Sequence, residues 1–425
     1  MNSATHSIPR RKFLAASVAA LGIAPMTWLR AQNGSPNDEI AIAMIGYGAM
    51  GSHNMTNFLN IPGVRIVAVC DVDSNKLAAA KAQVDGHYQN TDCKSFANYR
   101  DLLQHPGLDA VCICTPDHWH ARIGIDAANA GLDIYGEKPF TWGLAEGRML
   151  VDAVTKNKRV WQTGSWQRSG GEFRRFKALI KNNTLGKLTR FECGTPAGMA
   201  IQPHAPQEKW AEMIGKPPAN LDWAAWCGPV KNLEYHPMIH PWNWRWINIT
   251  GGGMLLDWVG HHVDIAMWTL GLENTGPVKV EGTGKPGDHP YFDTYADYAY
   301  QGTFADGRVI EVRSDFGGTK FTGENGWIHV NRGELKASDR ELLRNVPADF
   351  DTKTPSHWQN FLDCVRSRQL AVSHAEGAHR AASFGQLAIV AMDTKQAVEW
   401  DPKTEKVLNN DAQAKHPRLG SRLNA

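Results

Sequence analysis

The sequence predicts an α/β chain, with an open parallel sheet in the first domain and a large, open, mostly antiparallel sheet in an α+β second domain. Three observations predict it. The apolar run from Ile40 to Ile45 leads without a gap into Gly46-Tyr47-Gly48-Ala49-Met50-Gly51 and a helical stretch to about Asn60. Short apolar runs then alternate with helical patterns as far as Gln162, as repeated strand–helix–strand units require. Beyond Gln162 the pattern changes to strand-like segments separated by glycine turns.

Each element follows from its local pattern. Ile40 to Ile45 is short and apolar throughout, as suits a strand covered on both faces. Val64 to Cys70 makes a second strand, and Asp71 at its end lies about twenty residues past the last glycine. Leu108 to Pro116 is a further buried strand and turn, after which Asp117-His118-Trp119-His120 opens a helix running through Ala130. Leu132 to Gly136 is the next strand, with Glu137-Lys138-Pro139 at its carboxyl end, the edge where open parallel sheets bind ligands. Later, Val278 to Gly282, Thr294 to Gly302, Val309 to Phe316 and Gly326 to Val330 have strand character, while Ser356 to Arg366 and Gly377 to Val398 read as helices. The expected organisation is an N-terminal signal over 1–31, a nucleotide domain over 38–162, a second domain over 163–354 and C-terminal helices over 355–402.

The first unit has a specific chemistry. Gly46 permits the tight turn, Gly48 lets the backbone approach a pyrophosphate, and Gly51 lets helix and strand pack closely. A pyrophosphate there meets the positive end of the helix dipole and its free amides. Asp71 can accept hydrogen bonds from ribose hydroxyls and would repel a 2′-phosphate, so NAD is favoured over NADP.

Pro9-Arg10-Arg11-Lys12-Phe13-Leu14 precedes an apolar stretch, Ala15 to Leu29, too short and too rich in alanine and glycine to span a membrane. Paired arginines before a weakly hydrophobic segment resemble a twin-arginine export signal, with cleavage expected after Ala31. That route carries folded proteins, so a cofactor loaded in the cytoplasm could travel with the chain to the periplasm. There, with no nicotinamide pool to exchange with, the cofactor should be tightly held and returned to its starting state in each cycle. The formal net charge of +2 is spread without long basic runs, which gives no sign of nucleic acid. No CxxC pair points to a metal, and seven cysteines are an odd number for a full disulfide framework.

A second cluster lies at Gly251-Gly252-Gly253-Met254-Leu255-Leu256-Asp257-Trp258-Val259-Gly260-His261-His262-Val263-Asp264. On a regular helix Asp257 and His261, four apart, share a face, so the acid could orient the imidazole. Oxidising a secondary alcohol needs a base for the hydroxyl proton while hydride leaves the carbon, and an imidazole suits that task. Trp242-Asn243-Trp244-Arg245-Trp246 interleaves aromatic and polar groups of the kind that line sugar sites, although most single tryptophans serve a core.

Taken in order, GYGAMG at 46–51, Asp71, CTPDHWH at 114–120, GEKPF at 136–140 and GGGMLLDWVGHHVD at 251–264 resemble the Gfo/Idh/MocA family, over roughly Glu39 to Pro402. The resemblance implies a Rossmann domain, an α+β domain whose sheet often makes a homodimer or homotetramer interface, and late helices packing back onto the nucleotide domain. It implies Lys138, Asp257 and His261 as catalytic residues. The cofactor-binding set is Gly46, Tyr47, Gly48, Ala49, Met50, Gly51, Asp71, Thr115, Pro116, His118, His120, Glu137 and Lys138. Candidate substrate-binding residues are Trp166, Arg168, Tyr235, Trp244, Arg245 and His262. This sequence has Val259 where family members often have glycine.

Two activities fit these residues. One is an NAD-dependent oxidoreductase acting on a secondary hydroxyl of a sugar or polyol. The other is an NAD-dependent glycoside hydrolase that oxidises a hydroxyl transiently, eliminates the aglycone, adds water and reduces the ketone again. The second needs a further base, for which His118, His204, Tyr235, His236 and His240 are available.

Overall fold

A computed structural model describes residues 39–202, 209–347, 350, 355–408 and 410–423. The twin-arginine segment and His204 lie outside the described residues. Six strands form the first sheet: β1 (Ile40–Ile45), β2 (Val64–Cys70), β3 (Lys94–Phe96), β4 (Ala110–Ile113), β5 (Asp133–Gly136) and β6 (Trp161–Thr163). Their order is β3-β2-β1-β4-β5-β6, and every pairing is parallel. The chain direction across the sheet reverses between β1 and β4, and that switch point opens a crevice at the carboxyl ends of both strands. Apolar clusters fill both faces, which explains why β1 and β4 are apolar at nearly every position.

The second sheet has nine strands: β7 (Leu188–Gly194), β8 (Lys279–Pro286), β9 (Tyr295–Thr303), β10 (Val309–Arg313), β11 (Gly318–Gly323), β12 (Gly326–Asn331), β13 (Glu334–Ala337), β14 (Val398–Asp401) and β15 (Lys406–Val407). Its order is β13-β12-β11-β7-β10-β9-β8-β14-β15, and only β7 and β10 run parallel. One face holds the largest core, where Phe176, Phe191 and Phe321 meet edge to face. The other face carries cross-strand ion pairs such as Arg190–Glu311 and Arg313–Glu192.

Two late helices bind the halves together. His357–Ser367 sets Phe361 against Phe58 and Tyr135 of the nucleotide domain. Ala375–Thr394 begins with Ala375, Ala378 and Ala382 in the nucleotide-domain core and continues with Phe384, Leu387 and Val390 in the second core. Sequence periodicity extends this helix to Val398. The structure ends it at Lys395, which takes a left-handed conformation (φ 53°), and Val398 starts β14 beside β8.

Arg168 corrects a sequence expectation. It lies fully buried, with Nε and Nη2 donating to Asp264 at 2.7 and 2.6 Å, and Nη1 donating to Glu273 and to the Val372 carbonyl. Every polar group it has faces protein, so it holds the second domain's helices together and offers nothing to substrate. Removing one partner of a buried ion pair strands the other's charge in a low-dielectric interior. We expect Arg168→Ala to lower unfolding stability by about 3–5 kcal/mol, read by chemical denaturation of the purified protein.

Candidate active site

The crevice at the switch point continues into a cleft of about 580 Å³ between the nucleotide domain and the tryptophan-rich segment. Gly46, Tyr47, Gly48, Ala49 and Met50 form its floor, with Asp71, Thr115 and Pro116 beside them. Gly46 has φ +91°, and a Cβ on it would lie 2.7 Å from the Cys114 carbonyl oxygen. Gly51 does not line the cleft, because it packs beneath the turn, where a Cβ would fall 2.1 Å from the Gly46 carbonyl oxygen. A Cβ on Gly48 would meet no protein atom within 4 Å, so the demand for glycine there comes from the cleft side. No side chain caps the helix Ala49–Leu59, leaving its first amides for a ligand.

Asp71 accepts from the Tyr47 amide at 2.7 Å and the Asp73 amide at 2.9 Å, which fixes its carboxylate at the cleft edge. Glu137 accepts from Asn54 at 2.8 Å through Oε1, while its Oε2 and the Thr115 hydroxyl are buried with no partner among the described residues. Both residues line the cleft. Orphaned polar atoms of this kind call for a bound group, and a dinucleotide fits the set: amides for pyrophosphate, a carboxylate for ribose hydroxyls, and spare polar groups further in.

Lys138 follows β5 and reaches across the seam to Asp257, Nζ to Oδ1 at 2.8 Å. Burial acts to raise the Asp257 carboxyl, but Lys138 and Arg245 outweigh it and hold it below the ordinary carboxylate range. The expected Asp257–His261 alignment does not form. The helix Gly253–Trp258 widens into a π-turn over Val259–Val263, which breaks the regular helix that the expectation assumed. Asp257 is engaged with Lys138, whereas His261 Nδ1 is buried with no partner among the described residues. The imidazole lies 5.3 Å from the Trp258 ring and 6.3 Å from Trp166, behind the cleft lining. Burial, then the charges of Lys138 and Arg332, push its pKa well below the usual histidine value.

Several expected ligands prove to be fasteners. His118 is fully buried, its Nε2 facing the Trp226 carbonyl at 2.9 Å, and burial pushes it down to about 3. It neither lines the cleft nor can serve as a base at neutral pH. His120 lies between the Pro139 and Thr115 carbonyls at 2.8 and 2.9 Å, which braces the two cofactor-facing turns from behind. His262 Nδ1 meets the Gly194 carbonyl and the Gly318 amide inside the second domain, and burial lowers it to about 4. Tyr235 packs edge-on against Trp223 at 5.1 Å and lies outside the cleft lining. Trp166 also stands outside it, its ring covered by the Arg332 guanidinium at 4.5 Å. His236 lies tilted against Tyr291 at 4.2 Å, outside the cleft lining, whereas His240 does line it.

Trp244 and Arg245 do reach the cleft, together with Trp242. The Arg245 guanidinium sits over both rings, 4.1 Å from Trp242 and 4.3 Å from Trp244, and donates to the Trp242 carbonyl. Sequence reasoning missed two groups. Asp117, the first residue of the helix Asp117–Asn129, lines the cleft at 6% exposure. Arg422, in the C-terminal segment, also lines it, held by Glu146 and the Ile249 carbonyl and stacked 3.4 Å above Trp142.

This is the arrangement of a nicotinamide-dinucleotide Rossmann domain with a substrate-side domain closing over the carboxyl ends of its strands. Residues 40–165 match the oxidoreductase family's NAD-binding Rossmann fold, and residues 170–419 match its C-terminal alpha/beta domain. The chain belongs to the Gfo/Idh/MocA oxidoreductase family. It is 24% identical over 348 residues to a scyllo-inositol 2-dehydrogenase (NAD(+)) of Bacillus subtilis, covering 77% of this chain and 87% of that one. A glycosyl hydrolase family 109 protein of Shewanella is 33% identical over 125 residues, covering 29% of this chain and 27% of that one. The chain spans about half or less of the length of several other curated relatives it matches. Among solved structures, scyllo-inositol dehydrogenase from Lactobacillus casei, with bound NAD(H) and scyllo-inositol, superposes at a TM-score of 0.59 and 17% identity, covering 85% of this chain and 99% of that one.

The two glycines separate binding from folding. Gly48→Ala should fold normally, judged by thermal unfolding, yet bind NAD at least about tenfold more weakly, because its methyl projects where a pyrophosphate would lie. Gly51→Ala should instead lower the melting temperature, because its methyl collides with the Gly46 carbonyl.

Proposed function

We propose that the protein is an NAD-dependent oxidoreductase that transfers hydride between a secondary hydroxyl carbon of a sugar or polyol and a tightly held nicotinamide. The observation that carries this reading is the Lys138–Asp257 pair, which joins the two domains inside the dinucleotide cleft. The nicotinamide, when bound, supplies the hydride acceptor or donor. Lys138, fixed by Asp257, donates a hydrogen bond to the reacting oxygen and stabilises negative charge as it develops there. The hydroxyl proton passes to a base of the cleft; His261, which the sequence put forward for that task, is kept neutral by burial but stands behind the cleft lining. Arg245, immobilised between two indoles, offers fixed donors to neighbouring hydroxyls. The inositol dehydrogenases among the relatives support a cyclic polyol or pyranose as substrate.

Residues 1–31 act in this reading as a twin-arginine signal and the mature protein works in the periplasm, as a homo-oligomer. A retained cofactor then needs a second carbonyl substrate to close the cycle. A redox-neutral glycoside cleavage would close it without one, and the Shewanella match lends that reading support.

The first test is to denature the purified mature protein and identify released nucleotide by absorbance and mass. About one NAD or NADH per chain supports retention, whereas an empty protein that binds NAD weakly would sink it. Incubation with inositols, free sugars and aryl glycosides then separates the two activities. Ketone formation with NADH means dehydrogenation, and release of the aglycone without net NADH means cleavage. We expect Lys138→Met and Asp257→Asn to lower kcat/KM by about 10²–10⁴-fold, with NAD affinity of Asp257→Asn in titration changing little.

A further inference from the structure

Asp117 stands out among the cleft residues because no described residue bonds its carboxyl. It is 6% exposed and lines the cleft, yet among the described residues no group donates a hydrogen bond to its carboxyl or pairs with it. Its place in the fold is specific. It follows Thr115-Pro116 at the carboxyl end of β4, on the switch-point side of the sheet. Asp257 lines the same cleft from the opposite domain.

We propose, building on the oxidoreductase reading, that Asp117 is a further acid–base residue of this cleft, exchanging a proton with an oxygen of the bound sugar or polyol. In the oxidation direction the C–H bond breaks and its electron pair leaves with the hydride for nicotinamide. The O–H bond breaks, C=O forms, and the proton moves to the Asp117 carboxylate. Reduction reverses each transfer, with Asp117 returning the proton to the oxygen.

The electrostatics of the cleft support the assignment. Burial raises Asp117 to about 7, and the Asp257 charge adds to the rise. Arg245 from the Asn243–Trp246 turn, Lys138 from the loop after β5 and Arg418 from the C-terminal segment oppose it without cancelling it. Asp257 moves the other way because it holds Lys138 directly. Two carboxyls in one cleft, pushed in opposite directions, mark a division between a fixed charge and a proton carrier. By contrast burial pushes His261 well below the usual histidine value, and its ring stands behind the cleft lining. The sign is plain: alcohol oxidation uses the carboxylate and rises with pH through about 7, while carbonyl reduction uses the acid and falls.

The test compares wild type, Asp117→Asn, Asp117→Glu and His261→Gln. Infrared difference spectra of the NAD-loaded protein across pH 5 to 9, roughly spanning the cited value, should show a protonated-carboxyl band that titrates in wild type and is missing in Asp117→Asn. With the best substrate of the inositol and pyranoside panel, Asp117→Asn should lose the pH limb near neutrality and about 10²-fold or more in kcat/KM. Asp117→Glu should restore part of the rate and the limb, and NAD affinity should stay near wild type in all variants. A titrating band that persists in Asp117→Asn, or a limb that vanishes only in His261→Gln, overturns the proposal. Failure of every substrate to turn over would count against the oxidoreductase reading instead, and the infrared titration would still decide the state of Asp117.

Discussion

The ion pair between Lys138 and Asp257 ties together most of what makes this cleft a site. Lys138 hangs from the end of β5 in the nucleotide domain, and Asp257 comes from the glycine-led helix of the second domain, so the contact registers one half against the other. Its effect extends beyond the 2.8 Å bond. The same lysine holds Asp257 ionised, helps keep His261 neutral and draws against the rise of Asp117. Gly260 packs close to it, since a Cβ there would come within 3.0 Å of the Lys138 Cβ. Remote elements keep the geometry: His120 braces Pro139 from behind, and Ser165 donates to the Gly260 carbonyl at 2.7 Å.

The nucleotide half was largely legible in the sequence because its signals are local. A strand, a glycine turn, a helix and an acid at the next strand's end lie within thirty-odd positions, and each constrains backbone geometry directly. Parts of both sheets were legible for a similar reason, although β3, β6, β7, β11, β13 and the short β14–β15 edge lacked a pattern that stood out. The polar residues were harder. His118 and His120 sit in a motif that suggests ligand contact, but their partners are carbonyls of Trp226, Pro139 and Thr115, and no spacing rule reveals such pairings. Arg168 looked free to bind substrate because Asp264, Glu273 and Val372 lie far along the chain.

The Asp257–His261 reading failed for a different reason. Counting four residues assumes a regular helix, which the π-turn over Val259–Val263 interrupts, and it could not foresee that Lys138, distant in sequence, takes the Asp257 carboxylate. Asp117 escaped notice because an acid in a helix's first turn is ordinarily read as dipole compensation. Only its burial opposite Asp257 shows that the carboxyl is in surplus. The segment past Pro402 carried no motif, yet Arg418 and Arg422 stack on Trp142 at 4.3 and 3.4 Å and anchor the chain end against the cleft. Arginine side chains reach far and bond carbonyls, so a strap of this kind leaves almost no periodic trace.

The tryptophan-rich wall also works differently from a simple stacking surface. Trp223 and Trp226 stack on each other at 4.6 Å and 7°, and Trp226 belongs to the apolar cluster with Tyr235 and Trp244. Of the indoles that reach the cleft, Trp242 and Trp244 each give a face to Arg245. A face covered by a guanidinium cannot also stack on a sugar ring. What the wall presents is therefore a cation held rigidly by two aromatic surfaces, with N–H groups at fixed positions. Hydroxyl recognition then falls more to Arg245 than to stacking. Its permanent charge also sets the balance below it: Lys138 can bond one carboxylate directly, Arg245 acts on both through space, and the carboxyl left without a bonded cation is the one that holds a proton near neutrality.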